Sequence, residues 1–166
     1  DALPIFGYTN AGKSSIMNKL VDIFKNSEEK KVFEKNMLFA TLETSVRNIV
    51  LANNKEFLLS DTAGFVSNLP HDLVKAFRST LEEACEADVL LHVIDISNPS
   101  YKSHIKVTED TLKQIGADGI PMIHVYNKID LIDVEVLDRI LDSIDKEGIF
   151  VSVKKDINID KMIKCI

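Results

Sequence analysis

Gly7-Tyr8-Thr9-Asn10-Ala11-Gly12-Lys13-Ser14 separates a short apolar run, Leu3 to Phe6, from a segment in which Ile16, Met17, Leu20, Val21 and Phe24 recur at helical spacing. The eight residues fit the pattern GxxxxGK(S/T) and stand where a strand gives way to a helix, the setting that the pattern requires. Glycines let the backbone wrap closely around phosphate oxygens, so that successive N–H groups and the positive end of the helix meet the charge. Lys13 is expected to reach the terminal phosphates and the Ser14 hydroxyl to ligate magnesium. Gly7, Tyr8, Thr9, Asn10, Ala11, Gly12 and Ser15 complete the expected cradle. The motif points to a nucleoside triphosphate and leaves its base open.

Outward from this loop the chain alternates strands with helices. Ser45 to Leu51 and Glu56 to Ser60 read as a hairpin across the turn-prone pair Asn53-Asn54. Leu73, Phe77, Leu81 and Ala84 mark one face of a helix, and Val89 to Ile94 is nearly continuous in apolar character, as a strand covered on both sides should be. A helix after Ser100 turns Ile105, Thr108, Leu112 and Ile115 inward, and a strand from Ile120 to Tyr126 tolerates Pro121 near its start. The helix Val134 to Ile144, inward through Leu137, Ile140, Leu141 and Ile144, precedes a last strand, Ile149 to Val153. This order predicts an α/β P-loop NTPase fold, a doubly wound, mostly parallel six-stranded sheet with helices on both faces and ligands beyond the carboxyl ends of its strands.

The remaining polar motifs follow strands, as that geometry demands. Asp61-Thr62-Ala63-Gly64 comes after Phe57 to Ser60; an aspartate there can hold magnesium through its water shell, and Gly64 can offer its N–H to a γ-phosphate. Thr41 is the candidate to complete the metal shell and sense the γ-phosphate, with Thr44 as its competitor. Asn127-Lys128-Ile129-Asp130 follows the penultimate strand. The Asp130 carboxylate can accept both N1–H and the exocyclic amine of guanine, a donor pair adenine lacks, and an unmet buried polar group costs about 1–3 kcal/mol. Asn127 can brace the neighbouring loops, and the Lys128 stem can cover the base. Ser152-Val153-Lys154 has two readings, backbone donors near guanine O6 or an exposed turn. Taken together the motifs predict GTP and GDP as ligands, with Lys13, Thr41 and Gly64 serving hydrolysis and Ser14, Thr41 and Asp61 holding Mg2+, mostly through water.

The bulk composition agrees. The chain has 166 residues, 45% hydrophobic and 28% charged, a size that supports one domain with a core. Its net charge of -6 argues against indiscriminate attraction to a nucleic-acid backbone. Cys85 and Cys165 fall in no metal-ligand spacing and read as free thiols. No apolar stretch approaches the ~20 residues that span a bilayer, and Asp1 to Pro4 is unlike a signal peptide. The expectation is a cytoplasmic, monomeric domain of residues 1–166, with no membrane contact, cut from a longer chain and with its last helix incomplete.

Longer stretches carry a resemblance. Gly7 to Ser15, Leu38-Phe39-Ala40-Thr41-Leu42, Asp61 to Phe65, Leu69 to Ala84 and Leu91-His92-Val93-Ile94-Asp95 are similar to signatures of the HflX family of ribosome-associated GTPases, and the similarity covers essentially the whole chain. The resemblance implies a GTPase domain joined to an amino-terminal domain, in a protein that binds the large ribosomal subunit and is associated with splitting or rescuing stalled ribosomes. The chain departs from the family at Leu42-Glu43-Thr44-Ser45-Val46-Arg47, which lacks the usual proline, and at Ala63, where valine is usual. The first bears on how the Thr41 loop orders; the second changes packing more than phosphate chemistry.

Phe65 stands where many GTPases place a water-orienting glutamine, so unaided turnover is expected to be slow. An interaction module stabilised by guanine nucleotide, with negligible turnover, is the alternative. Asn10 either fixes the loop backbone or, as in related potassium-dependent GTPases, helps hold K+ beside the phosphates. His71 reads as a packing residue, and His92 as a histidine of the core.

Overall fold

The computed structural model describes residues 2–8, 11–23, 45–50, 56–61, 89–114, 116, 119–144 and 148–165. The strands are β1 (Ala2–Gly7), β2 (Ser45–Val50), β3 (Glu56–Asp61), β4 (Leu90–Asp95), β5 (Met122–Asn127) and β6 (Gly148–Phe150). The helices are α1 (Lys13–Ile23), α2 (Tyr101–Gln114), α3 (Val134–Ser143) and α4 (Ile159–Cys165), with a 3-10 turn at Ile129–Leu131. The helix expected through Leu73 and Ala84 lies outside the described residues, as do Cys85 and His71.

The described strands lie in the order β2-β3-β1-β4-β5-β6. All neighbouring pairs are parallel except β2 with β3, the expected hairpin. The strands that follow β1 directly, β2 and β3, lie on one side of it and β4 to β6 on the other, and in open sheets of this kind ligands bind beyond the carboxyl ends where the strand order reverses. β1, β3, β4 and β5 run the same way, so Gly7, Asp61, Asp95 and Asn127 all end strands on one edge.

Alternation along the strands divides the core. Ile5, Leu91, Val93 and Val125 face a cluster with Ile16, Met17 and Leu20 of α1 and Ile159 and Met162 of α4. Ile94 and Tyr126 face the other side, where Tyr101 and Ile105 of α2 and Ile140 of α3 pack. Each fully buried aliphatic side chain contributes about 1.5–3 kcal/mol. Thr108 and Leu112 are fully buried, as the helical spacing required, and His92 is a core histidine at 1% exposure. The His92 ring lies 5.2 Å from that of His124, its partner in register on β5.

Two boundary expectations and one of burial need correction. β5 begins at Met122, not Ile120, because Pro121 has no N–H for the ladder; its carbonyl instead accepts the Leu90 N–H at 2.9 Å. β6 ends at Phe150, not Val153, because Ser152 pairs with Ile157 in an antiparallel bridge that folds the chain back. Leu141, expected inward, is 46% exposed, and α3 has no buried residue at all. Its apolar spacing suits a helix, yet only one side of it reaches the sheet. Among the described residues no helix is long and apolar enough to cross a membrane. Cys165 is an exposed free thiol.

Candidate nucleotide site

The loop after β1 is held by two glycines of different use. A Cβ on Gly7 would lie 2.4 Å from the Val93 carbonyl oxygen, so only glycine lets β1 and β4 approach this closely before the chain turns. Gly12 has φ +103, in the region that side chains disfavour, and a Cβ there would strike Asn127 Nδ2 at 2.3 Å. The Ala11 N–H donates to the Tyr8 carbonyl at 3.1 Å, and the Ile16 N–H to Gly12 at 3.0 Å, opening α1. Lys13, in the first turn of that helix, is 8% exposed, and Ser14 and Ser15 beside it are half-buried.

The base motif is tied directly to this loop. Asn127 is 3% exposed, and its Nδ2 donates to the Ala11 carbonyl at 3.1 Å across 116 positions of sequence. Its Oδ1 accepts the Val153 N–H at 3.2 Å. Lys128 adopts a left-handed backbone, φ 69 and ψ 32, which swings the chain from the end of β5 into the turn carrying Asp130. The Ser152 hydroxyl, fully buried, donates to Asp130 Oδ1 at 2.8 Å and accepts the Lys155 N–H at 3.1 Å.

Ser152 to Lys154 follow β6 in a turn whose backbone donors are in part already used. The Ser152 N–H goes to Ile157 at 3.2 Å and that of Val153 to Asn127, so two of the three expected donors are engaged within the protein. The Ser152 side chain, rather than its backbone, reaches the Asp130 carboxylate. The Lys154 side chain is exposed, the part of the expectation that an open turn accounts for.

Asp95 was not singled out as a site residue. Its Oδ2 accepts from Lys128 Nζ at 3.2 Å, and its Oδ1 from Ser97 N at 3.0 Å and Ser97 Oγ at 2.5 Å. The signal available was its place at the carboxyl end of a central strand, in register with Asn127. Asp61 ends β3 opposite Ile5 in register, close to the loop it was expected to serve. Thr9, Asn10, Thr41, Gly64 and Phe65 lie outside the described residues.

A family model described as 50S ribosome-binding GTPase matches residues 3–128. The chain belongs to this family. Among curated relatives, the GTPase HflX of Caldanaerobacter subterraneus subsp. tengcongensis is 45% identical over 98% of this chain and 35% of its own length. The GTPase HflX of Lacrimispora saccharolytica is 41% identical over 99% of the chain and 37% of its own. The resemblance to HflX GTPases drawn from the signatures is borne out, and the chain spans about a third of these relatives' length. Among solved structures, a GTP-binding protein from Sulfolobus solfataricus in complex with GDP matches with a TM-score of 0.70 at 26% identity, covering 98% of this chain and 50% of that one.

Proposed function

We propose that this HflX-type domain binds GTP and GDP and slowly hydrolyses GTP to GDP and phosphate, as the switch of a longer protein that binds the large ribosomal subunit. The observation that carries the reading is the double bridge of Asn127, which joins the phosphate loop at Ala11, the base motif and the Val153 turn into one buried unit. The family match supports the ribosomal partner, and the GDP of the Sulfolobus solfataricus structure supports the nucleotide. Residues 1–166 are read as one domain with the doubly wound, six-stranded P-loop NTPase sheet; the order of the described strands around β1 supports it. The reading places the protein in the cytoplasm.

In this reading Asp130, oriented by Ser152, accepts the guanine N1–H and amine, and Lys128 lies against the base. The Gly7 to Ser15 loop wraps the phosphates. Water attacks the γ-phosphorus, the bond to the β–γ bridging oxygen breaks, and Lys13 and loop N–H groups stabilise the charge that gathers on GDP. Thr41 and Gly64 sense the γ-phosphate. Magnesium suits the hydroxyl and carboxylate oxygens of Ser14, Thr41 and Asp61, hard donors of which Ser14 and Asp61 follow or face the same strand. When bound it supplies positive charge at the phosphate oxygens. Asn10 is the residue to hold K+ if a second cation takes part.

The test is GTP hydrolysis by the full-length protein and by residues 1–166, with and without large ribosomal subunits, in potassium and in sodium at matched ionic strength. Slow phosphate release that subunits accelerate is expected. Absence of guanine-nucleotide binding would overturn the reading, and equal rates in the two salts would dispose of K+.

A further inference from the structure

The ring of Tyr8, the residue that follows the end of β1, lies flat on the imidazole of His104 in α2. Their centroids are 3.6 Å apart and their planes 2° from parallel. Tyr8 is no bystander in the loop, because its carbonyl accepts the Ala11 N–H and so closes the first turn toward Gly12. His104 is firmly based. Its own carbonyl accepts the hydroxyl of Thr108 at 2.9 Å, and Thr108 is fully buried, which fixes this turn of α2 against the sheet.

Burial lowers the His104 pKa, and the negative charge of Asp95 opposes that shift only in part. The Asp95 that influences His104 is also the residue that receives Lys128. Asp95, at the end of β4, is thus close enough to act on both His104 and Lys128.

We propose that His104 is a positioning residue for the nucleotide, a platform on which Tyr8 stacks and which so holds in place the Tyr8 carbonyl that receives the Ala11 N–H at the start of the phosphate loop. The proposal rests on the nucleotide reading above. It concerns a residue that touches no ligand and acts only through Tyr8. An aromatic pair adds a modest free energy beyond its buried area, which corresponds to an effect of about two- to tenfold on binding.

The experiment measures dissociation of a fluorescent GDP analogue from the intact protein by chase with unlabelled GDP. His104→Ala removes the platform and is expected to release nucleotide about two- to tenfold faster, whereas His104→Phe, which keeps a flat ring, is expected to restore the wild-type rate. Thermal melting without nucleotide separates folding from positioning: Ala and Phe variants that melt together but release GDP at different rates support the platform. A wild-type release rate in His104→Ala overturns the proposal, as does equal acceleration by Ala and Phe. If the wild type itself binds no guanine nucleotide, the nucleotide reading falls and takes the platform with it.

Discussion

Asn127 and Ala11 are 116 positions apart in sequence and joined by a buried hydrogen bond of 3.1 Å, from the amide of one to the carbonyl of the other. The same side chain accepts the Val153 N–H, so a single residue satisfies two backbone groups on different loops.

Replacing Asn127 by Ala removes the partner of both groups, the Ala11 carbonyl in a buried setting and the Val153 N–H in a partly buried one. Each unsatisfied polar group costs about 1–3 kcal/mol, so a drop in stability of that order and a loss of GDP affinity should appear together. Denaturant unfolding and calorimetric titration read the two. Unchanged stability would show that water replaces the amide.

Ser152→Ala leaves Asp130 without the hydroxyl that orients it. A hydrogen bond to a charged group contributes about 1.5–3 kcal/mol, so GDP affinity is expected to fall roughly 10- to 100-fold, while affinity for inorganic pyrophosphate stays as it was. Competition binding with both ligands distinguishes a base-site defect from general damage.

Lys13→Ala removes a buried cation from the first turn of α1. Hydrogen bonds to charged groups contribute about 1.5–3 kcal/mol, which predicts a loss of GTP affinity of roughly 10- to 100-fold, with hydrolysis falling as well. Filter binding and phosphate release measure the two effects.

His124 is a buried histidine whose pKa is lowered by burial. Its folded-state value lies below the ordinary 6.5, so above 6.5 it is neutral whether the chain is folded or not. Below 6.5 the unfolded chain takes up a proton first, and stability is lost as pH falls toward the lowered folded value. Urea midpoints between pH 7.5 and 5 should decline, and the decline should be shallower in His124→Leu.

Leu20→Ala empties part of the cluster between α1 and the sheet, where Leu20 is fully buried. The expected cost is about 2–5 kcal/mol, checked by equilibrium unfolding at pH 7.5.

Much of this was legible because it rests on local rules. The phosphate loop could be read from glycine positions and a strand-to-helix change, and β4 from an apolar run too long to leave one face in water. What periodicity could not supply were relationships between distant segments. Ser152 to Lys154 can be read locally as backbone donors or as an exposed turn, since nothing local announces that Ile157 folds back to take the Ser152 N–H. The role of Asp95 is not legible locally, because its partner Lys128 lies 33 positions away. Leu141 obeyed the helical period and is still exposed, because spacing defines a face without saying whether anything covers it.

That helix has a practical use. With no residue of α3 buried, the exposed Glu135 can carry a dye at little cost to folding, five positions along the chain from Asp130. A fluorophore attached there tests whether occupancy of the base site can be read in real time from the face of α3 turned away from Ile140 and the core.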